Sequence, residues 1–155
     1  MRLTRFTDNA LRALLYLALD PQDVPTVGHV ARKMGMSEDH LLKVVQRLSQ
    51  LGYVQTIRGR NGGMRLAKPA ESIVVGEVVR RTEDNMSIVP CFDPTEGACP
   101  VSPACGLAPA LDEALQAFLT TLDKYTVADL IAKRSALRSL AQMSDELLVG
   151  SEAAD

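Results

Sequence analysis

Two short amphipathic segments separated by a glycine-containing turn constrain this chain more than any other feature. Apolar side chains recur at helical spacing over 27–34 and again over about 38–51, with Gly35, Met36 and Ser37 between them. Glycine suits the left-handed C-terminal cap of the first helix, and serine suits the N-cap of the second. Two helices joined by so short a turn are typical of a helix-turn-helix.

A β-hairpin is predicted directly after these helices. Residues 53–57 alternate and include β-branched side chains, residues 58–63 are rich in glycine and asparagine, and residues 64–66 form the second strand. A helix-turn-helix followed at once by a hairpin is a winged helix. The sequence therefore predicts a mainly α fold with a small β-hairpin.

The remaining apolar periodicity predicts four more helices. They cover residues 3–19, ending at Asp20-Pro21, then 73–82, 107–123 and a last helix opened by a capping box at Thr126. The second of them is expected to start at Ser72. Four prolines and no helical pattern lie between residues 85 and 106, which we expect to form a loop.

Composition favours a globular protein without a membrane segment. The chain has 155 residues, of which 46% are hydrophobic and 23% are charged. It contains no run of about 18 apolar residues and no recognisable secretory signal at its start. We therefore expect a cytoplasmic protein that does not contact a membrane.

The charges are divided unevenly along the chain. Residues 1–70 carry eleven Lys and Arg against five Asp and Glu, a net charge of +6, whereas residues 71–155 have a net charge of −8. A basic first half is typical of a domain that binds a polyanion such as double-stranded DNA.

The outward face of the second predicted helix carries the first set of candidate DNA contacts. Its inward face is expected in the core, with Leu41, Leu42, Val45 and Leu48. The outward side chains can donate hydrogen bonds to base edges or phosphates, as a recognition helix in the major groove requires. An ordinary solvated helix face is the alternative, but the neighbouring turn and hairpin favour DNA. The set comprises Ser37, His40, Lys43, Gln46 and Arg47.

The hairpin loop supplies the second set. Arginines inserted at a glycine-rich tip suit a narrow minor groove and the phosphate backbone. A solvated turn is the alternative, and the absence of a following Gly-Lys-Ser/Thr disfavours nucleotide binding. The candidates are Arg58, Arg60, Asn61 and Gly62.

All three cysteines fall within fifteen residues of the proline-rich loop. Cys91, Cys99 and Cys105 have the spacing C-x7-C-x5-C. Thiolates are soft ligands that suit iron–sulfur clusters or zinc, but structural zinc usually takes closely paired cysteines. The spacing favours a cluster, and leaves zinc or thiol redox chemistry as alternatives.

Several motifs together carry a family resemblance. They are Leu3-Thr4-x-x-Thr7-Asp8-x-Ala10-Leu11-Arg12-Ala13-Leu14, Gly52-Tyr53-Val54 leading to Arg58-Gly59-Arg60-Asn61-Gly62-Gly63-x-Arg65-Leu66, Gly76-Glu77-Val78-Val79-Arg80-x-Thr82-Glu83, and the cysteine loop. Over about residues 1–140 the chain resembles the iron–sulfur winged-helix regulators. Within that family, the segments around Cys91, Cys105 and 122–130 are most similar to the nitric-oxide-sensing NsrR type. RirA-type iron regulators are the nearest competitor. IscR types carry a ligating histidine at the position where this chain has Ala108, which disfavours the IscR type.

The resemblance implies a homodimer whose interface is formed by the long helix 107–123. It also implies that Cys91, Cys99 and Cys105 bind an iron–sulfur cluster, with four irons favoured and two as the alternative. Asp8 of the partner subunit would complete the coordination. A simpler interpretation of Asp8 is a carboxylate that interacts favourably with the dipole of the first helix.

These expectations define four regions and one function. The regions are a winged helix-turn-helix domain over 1–82, a cluster-binding loop over 83–106, dimerisation helices over 107–143 and an acidic tail over 144–155. The predicted function is a non-enzymatic transcriptional repressor that leaves its operator when nitric oxide reacts with the cluster or the cluster is lost. The alternatives are an iron- or redox-responsive regulator, a cluster-free regulator that senses through thiols or zinc, and a cluster-bearing redox enzyme or electron carrier. The basic first half and its wing disfavour the last of these.

Overall fold

The computed structural model describes residues 2–59, 62–93, 99, 101 and 104–132. Within these residues the chain forms six α-helices and one two-stranded antiparallel sheet, with 3-10 turns that include Ala70–Ser72 and Pro90–Phe92. In chain order the main elements are α1 Arg5–Leu19, α2 Val27–Lys33, α3 Glu38–Gln50, β1 Val54–Ile57, β2 Gly63–Leu66, α4 Val75–Thr82, α5 Leu107–Leu122 and α6 Val127–Leu130. The mainly α fold with a small hairpin is therefore confirmed.

Helix α1 lies at the centre of the core. Its N-cap residue Thr4 accepts a hydrogen bond from the Thr7 backbone N–H at 3.2 Å, and the helix ends at Asp20, as predicted. It packs against α3, α4 and α6. The buried cluster includes Ala10, Ala13, Leu14, Leu17 and Ala18 of α1 together with Val30, Leu41, Val44, Val45, Leu48 and Ile73.

The helix-turn-helix forms as predicted, with two differences in its side chains. Gly35 adopts φ +62° after α2, a conformation that glycine tolerates best. Ser37 is the N-cap residue of α3, but its hydroxyl makes no capping hydrogen bond. The prediction that Leu42 is buried is wrong, because Val44 occupies the inward position and Leu42 is 56% exposed.

The hairpin is fixed to the chain that precedes α2. Residues pair from Val54 with Leu66 to Ile57 with Gly63, and the Met64 N–H donates to the Pro25 carbonyl at 2.9 Å. A Cβ at Gly63 would clash with the Val24 carbonyl oxygen, so only glycine fits at this contact. The wing and the start of the helix-turn-helix are consequently one packed unit.

Helix α4 begins later than the sequence predicts. Val74 forms a β-bridge with Thr126, and the Val127 N–H donates to the Ile73 carbonyl at 2.9 Å. These bonds hold residues 73 and 74 extended, so the helix starts at Val75, and Ser72 belongs to a 3-10 turn instead.

Helix α5 is joined to α4 at its C-terminal end. Leu115 and Leu119 pack against Val79, and both guanidinium Nη atoms of Arg80 contact the Asp123 carboxylate, at 2.6 and 2.7 Å. This contact holds the pKa of Asp123 below its usual value, chiefly because Arg80 hydrogen-bonds the ionised carboxylate.

The C-terminal region is described as far as residue 132. The capping box at Thr126 is confirmed, since Thr126 and Asp129 exchange side-chain-to-backbone bonds. The predicted acidic tail 144–155 and the end of the segment 107–143 lie outside the described residues. Between residues 85 and 106, the described part includes a 3-10 turn that the sequence does not predict, Pro90–Phe92. In the part of the chain that the structure covers, we find no helix long and apolar enough to cross a membrane.

Candidate nucleic-acid interface and cysteine segment

The face of α3 opposite the core is largely polar and open to solvent. Four of the five predicted contacts are exposed: Ser37, Lys43, Gln46 and Arg47. The Ser37 hydroxyl makes no capping bond and is therefore available for a contact to DNA. It lies at the helix N-terminus, where a recognition helix approaches the bases. The exposed set combines hydroxyl, amide and cationic donors on one helix face.

His40 is placed differently from the other members of this set. Its ring is half-buried and lies edge-on to Phe6 of α1, with 6.1 Å between the ring centroids. Its Nε2 atom is buried and lacks a hydrogen-bond partner among the described residues. His40 therefore fits a base contact least well of the five.

Arg47 connects the reading helix to α4. Its Nη2 atom lies 3.4 Å from the carbonyl oxygen of Arg81, which is in the last turn of α4. The terminal carbonyls of a helix lack partners within the helix, and a guanidinium is a suitable donor for them. The sequence placed Arg47 on the outward face but gave no sign of this contact.

The tip of the hairpin is only partly described. Arg58 is exposed and Gly59 has φ +115°, whereas Arg60 and Asn61 lie outside the described residues. A Cβ at Gly62 would clash with the Ile57 carbonyl oxygen, so the turn itself requires glycine there. The need for Gly62 is thus explained by the hairpin without any contact to phosphate.

The three cysteines have free thiols and different exposures. Cys91 is exposed in the 3-10 turn, and Cys99 and Cys105 are partly buried. No group of three or more His, Cys, Asp or Glu side chains within the described ranges is close enough to hold a metal ion. The three thiols are therefore not brought together in this single chain, although their chemistry suits a soft metal centre.

Asp8 lies in the first turn of α1 and is half-exposed. Its carboxylate is 3.1 Å from the guanidinium of Arg12, one turn further along the helix. This position agrees with the helix-dipole interpretation and also leaves the carboxylate accessible to a second molecule.

A contact between α1 and the start of the cysteine segment was not predicted. The Glu83 carboxylate accepts hydrogen bonds from the backbone N–H and the hydroxyl of Thr4, at 2.8 and 3.0 Å. The two residues are 79 positions apart, so no local pattern indicates the pair. Glu83 immediately follows α4 and joins the chain before Cys91 to the N-terminus of α1.

The family is decided by a comparison with family models. A model described as Rrf2, iron-dependent transcriptional regulator, matches residues 3–133. The chain belongs to the Rrf2 family. It is therefore a DNA-binding transcriptional regulator and not an enzyme.

Curated Rrf2 relatives match almost the whole chain. It is 47% identical over 146 residues to the HTH-type transcriptional regulator NsrR of Bacillus subtilis, covering 94% of this chain and 100% of that one. It is 52% identical over 141 residues to the NsrR of Geobacillus kaustophilus, covering 90% and 96%.

Solved structures support the Rrf2 fold at lower identity. CymR, described as the global cysteine regulator of B. subtilis, is 24% identical, with a TM-score of 0.67 over 86% of this chain and 98% of that one. IscR of T. potens is 22% identical, with a TM-score of 0.66 over 86% and 88%. These two likenesses concern the fold alone.

Proposed function

We propose that this Rrf2 regulator is a homodimeric repressor that senses nitric oxide through an iron–sulfur cluster and releases its operator when the cluster reacts or is lost. The observation that carries the proposal is the concentration of all three thiols in the segment that joins the winged part of the chain to α5. The NsrR relatives, with 45–52% identity, support the choice of signal within the family.

The DNA half of the proposal uses two surfaces. Helix α3 enters the major groove with Ser37, Lys43, Gln46 and Arg47, and the hairpin tip, with Arg58, Arg60, Asn61 and Gly62, contacts the backbone or minor groove. The net charge of +6 over residues 1–70 supports binding to phosphates. His40 has its Nε2 buried and belongs to the packing of α3 against α1 more than to the reading face.

The donor set of the cysteine segment fits an iron–sulfur cluster by its chemistry. Cys91, Cys99 and Cys105 are free, and thiolates are the usual protein ligands of such clusters. Binding would have to bring the three thiols together. Asp8 of the partner subunit supplies a harder carboxylate ligand in this proposal, with four irons favoured over two. A bound cluster would supply iron that reacts with nitric oxide.

Two hydrogen-bonded residue pairs, Thr4 with Glu83 and Arg47 with Arg81, connect the start of the cysteine segment to helices α1 and α3. Glu83 holds the N-cap residue of α1, and Arg47 of α3 holds the carbonyl of Arg81. Both acceptors lie within two residues of the end of α4, where the segment begins. A rearrangement of the segment would therefore move α1 and α3 relative to each other, and so change the fit of α3 to DNA.

An iron-responsive regulator is the second candidate. The family model is described as iron-dependent, which favours iron availability as the signal for the same three thiols. Cluster loss would then follow iron limitation, and nitric oxide would act only as a side reaction. The two candidates share all ligand residues and differ in the signal.

Substitution of the cysteines one at a time tests the cluster directly. Cys91→Ala, Cys99→Ala and Cys105→Ala should each lose most of the iron and sulfide of the anaerobically purified protein, because each removes one thiolate ligand. Ser87→Ala removes a single oxygen from the same segment and is the matched control, which should keep both. Full iron and sulfide in the Cys99→Ala protein would contradict the three-thiolate assignment.

A further inference from the structure

We propose that Leu42 of α3 reads thymine, through an apolar contact with the C5-methyl group in the major groove. The inference rests on the proposed entry of α3 into that groove, and it adds a specificity-determining side chain that hydrogen-bonding considerations leave out.

Leu42 differs from every other apolar side chain of its helix. It is 56% exposed, whereas Leu41, Val44, Val45 and Leu48 are at most 2% exposed. It belongs to neither of the two buried clusters, not even among the partly buried side chains packed against them. Leu42 therefore contributes little to the packing of the winged part of the chain.

Its place on the helix is also distinctive. Leu42 is the one exposed large apolar side chain among the described residues between 2 and 93. The other exposed ones lie at residue 101 or beyond. Single exposed leucines are ordinary on protein surfaces. Here, however, the leucine lies on the face that carries the polar candidates, adjacent to Lys43 and one turn before Gln46.

The chemistry of the major groove offers such a side chain one specific partner. Base edges there present hydrogen-bond donors and acceptors, and the C5-methyl group of thymine is their apolar feature. A leucine placed among donors gains nothing from polar edges, but it removes apolar surface from water when it covers a methyl group. Gln46, one turn away, has the amide geometry that binds adenine through N6 and N7. The two side chains together favour A·T pairs over G·C pairs at neighbouring positions.

The test removes the methyl group from the DNA and the side chain from the protein. A duplex is first selected from a random pool by the anaerobically purified, cluster-containing wild-type protein. Each thymidine is then replaced in turn by deoxyuridine, which lacks only the C5-methyl. Wild-type protein should lose about fourfold in affinity at one thymine of each half-site, the factor that corresponds to one buried methyl-sized group. Leu42→Ala should bind the unmodified duplex more weakly and show no further loss at that thymine.

Leu130→Ala is the matched control, since Leu130 is an exposed leucine on α6, outside the reading helix. It should keep both the affinity and the deoxyuridine penalty. A wild-type protein insensitive to every deoxyuridine, or a Leu42→Ala protein with the full penalty, would overturn the role of Leu42 while leaving DNA binding intact. If the wild type selected no sequence at all, sequence-specific reading by α3 would fail, and Leu42 with it.

Discussion

Asp8 forms an ion pair with Arg12 in this chain, and the proposed function gives it a second role as a cluster ligand. In this chain the pair is an exposed ion pair one helical turn apart, with 3.1 Å between Arg12 Nε and Asp8 Oδ2, and such pairs stabilise a helix by only about 0.3–0.5 kcal/mol. Loss of the ion pair alone should therefore leave the fold nearly unchanged. A ligand role in the partner subunit's cluster would have a separate effect.

We expect Asp8→Ala to keep a cluster bound by the three thiols, but with an altered visible spectrum and a weaker dependence of DNA binding on the cluster. Arg12→Ala removes the same ion pair without removing a carboxylate, so it should behave as wild type in both measurements. Equal behaviour of the two variants, in visible spectra and in operator affinity, would mean that Asp8 serves only the helix.

At the scale of elements, periodicity and turn chemistry predicted most of the fold. The helix-turn-helix, the hairpin and the start of α5 follow from local patterns, because caps and apolar spacing act within a few residues. The start of α4 differs from the prediction because the bonds that hold Ile73 and Val74 extended come from residues 125–127. The burial of Leu42 is not predicted correctly because Leu41 and Leu42 are adjacent, and helical spacing alone does not decide which of the two faces the core.

The candidate site was predictable in its residue types but not in its contacts. The cysteine spacing and the donors on α3 are visible in the sequence. The bonds of Glu83 to Thr4 and of Arg47 to Arg81 join residues 79 and 34 positions apart, which no local pattern reveals. Whether the three thiols converge depends on interactions beyond the spacing.

The contact between Arg80 of α4 and Asp123 after α5 should make the junction of these helices sensitive to acid. Since the pKa of Asp123 is lowered in the folded chain, its contribution is present above the unfolded carboxyl pKa of about 3.9 and is lost as the pH falls through the folded value. Asp123→Asn should therefore lower the melting temperature at pH 7 and flatten its decline between about pH 5 and pH 3.

Thermal unfolding monitored by circular dichroism across this pH range measures the effect. Asp112→Asn, which changes an exposed carboxylate within α5, is the control and should follow the wild-type curve. If Asp123→Asn also kept the wild-type slope, the contact would not contribute to the stability of the junction.

At the scale of the whole molecule, α5 has apolar side chains that the described residues leave exposed. Leu115 and Leu119 are buried against α4, while Leu107 is 64% exposed and Ala114 is open on an adjoining side of the helix. A second copy of the chain is the partner that the proposed function requires on this side.

Ala114→Glu should therefore prevent dimerisation, because it places a charge in the proposed interface without disturbing any side chain buried within one chain. Gln116→Glu introduces the same group on the opposite side of α5 and should leave a dimer. Sedimentation velocity distinguishes the 16.8 kDa chain from a particle of twice that mass. A dimeric Ala114→Glu protein would place the interface elsewhere.

Operator binding during a nitric oxide titration tests the central claim most directly. The fluorescence anisotropy of a labelled operator duplex is followed under anaerobic conditions, together with the visible spectrum of the protein. The account predicts that wild-type protein releases the duplex in step with the reaction of its cluster, and that Cys99→Ala, which lacks a full ligand set, neither binds it tightly nor responds. Undiminished operator binding after the cluster spectrum has been lost completely would contradict it.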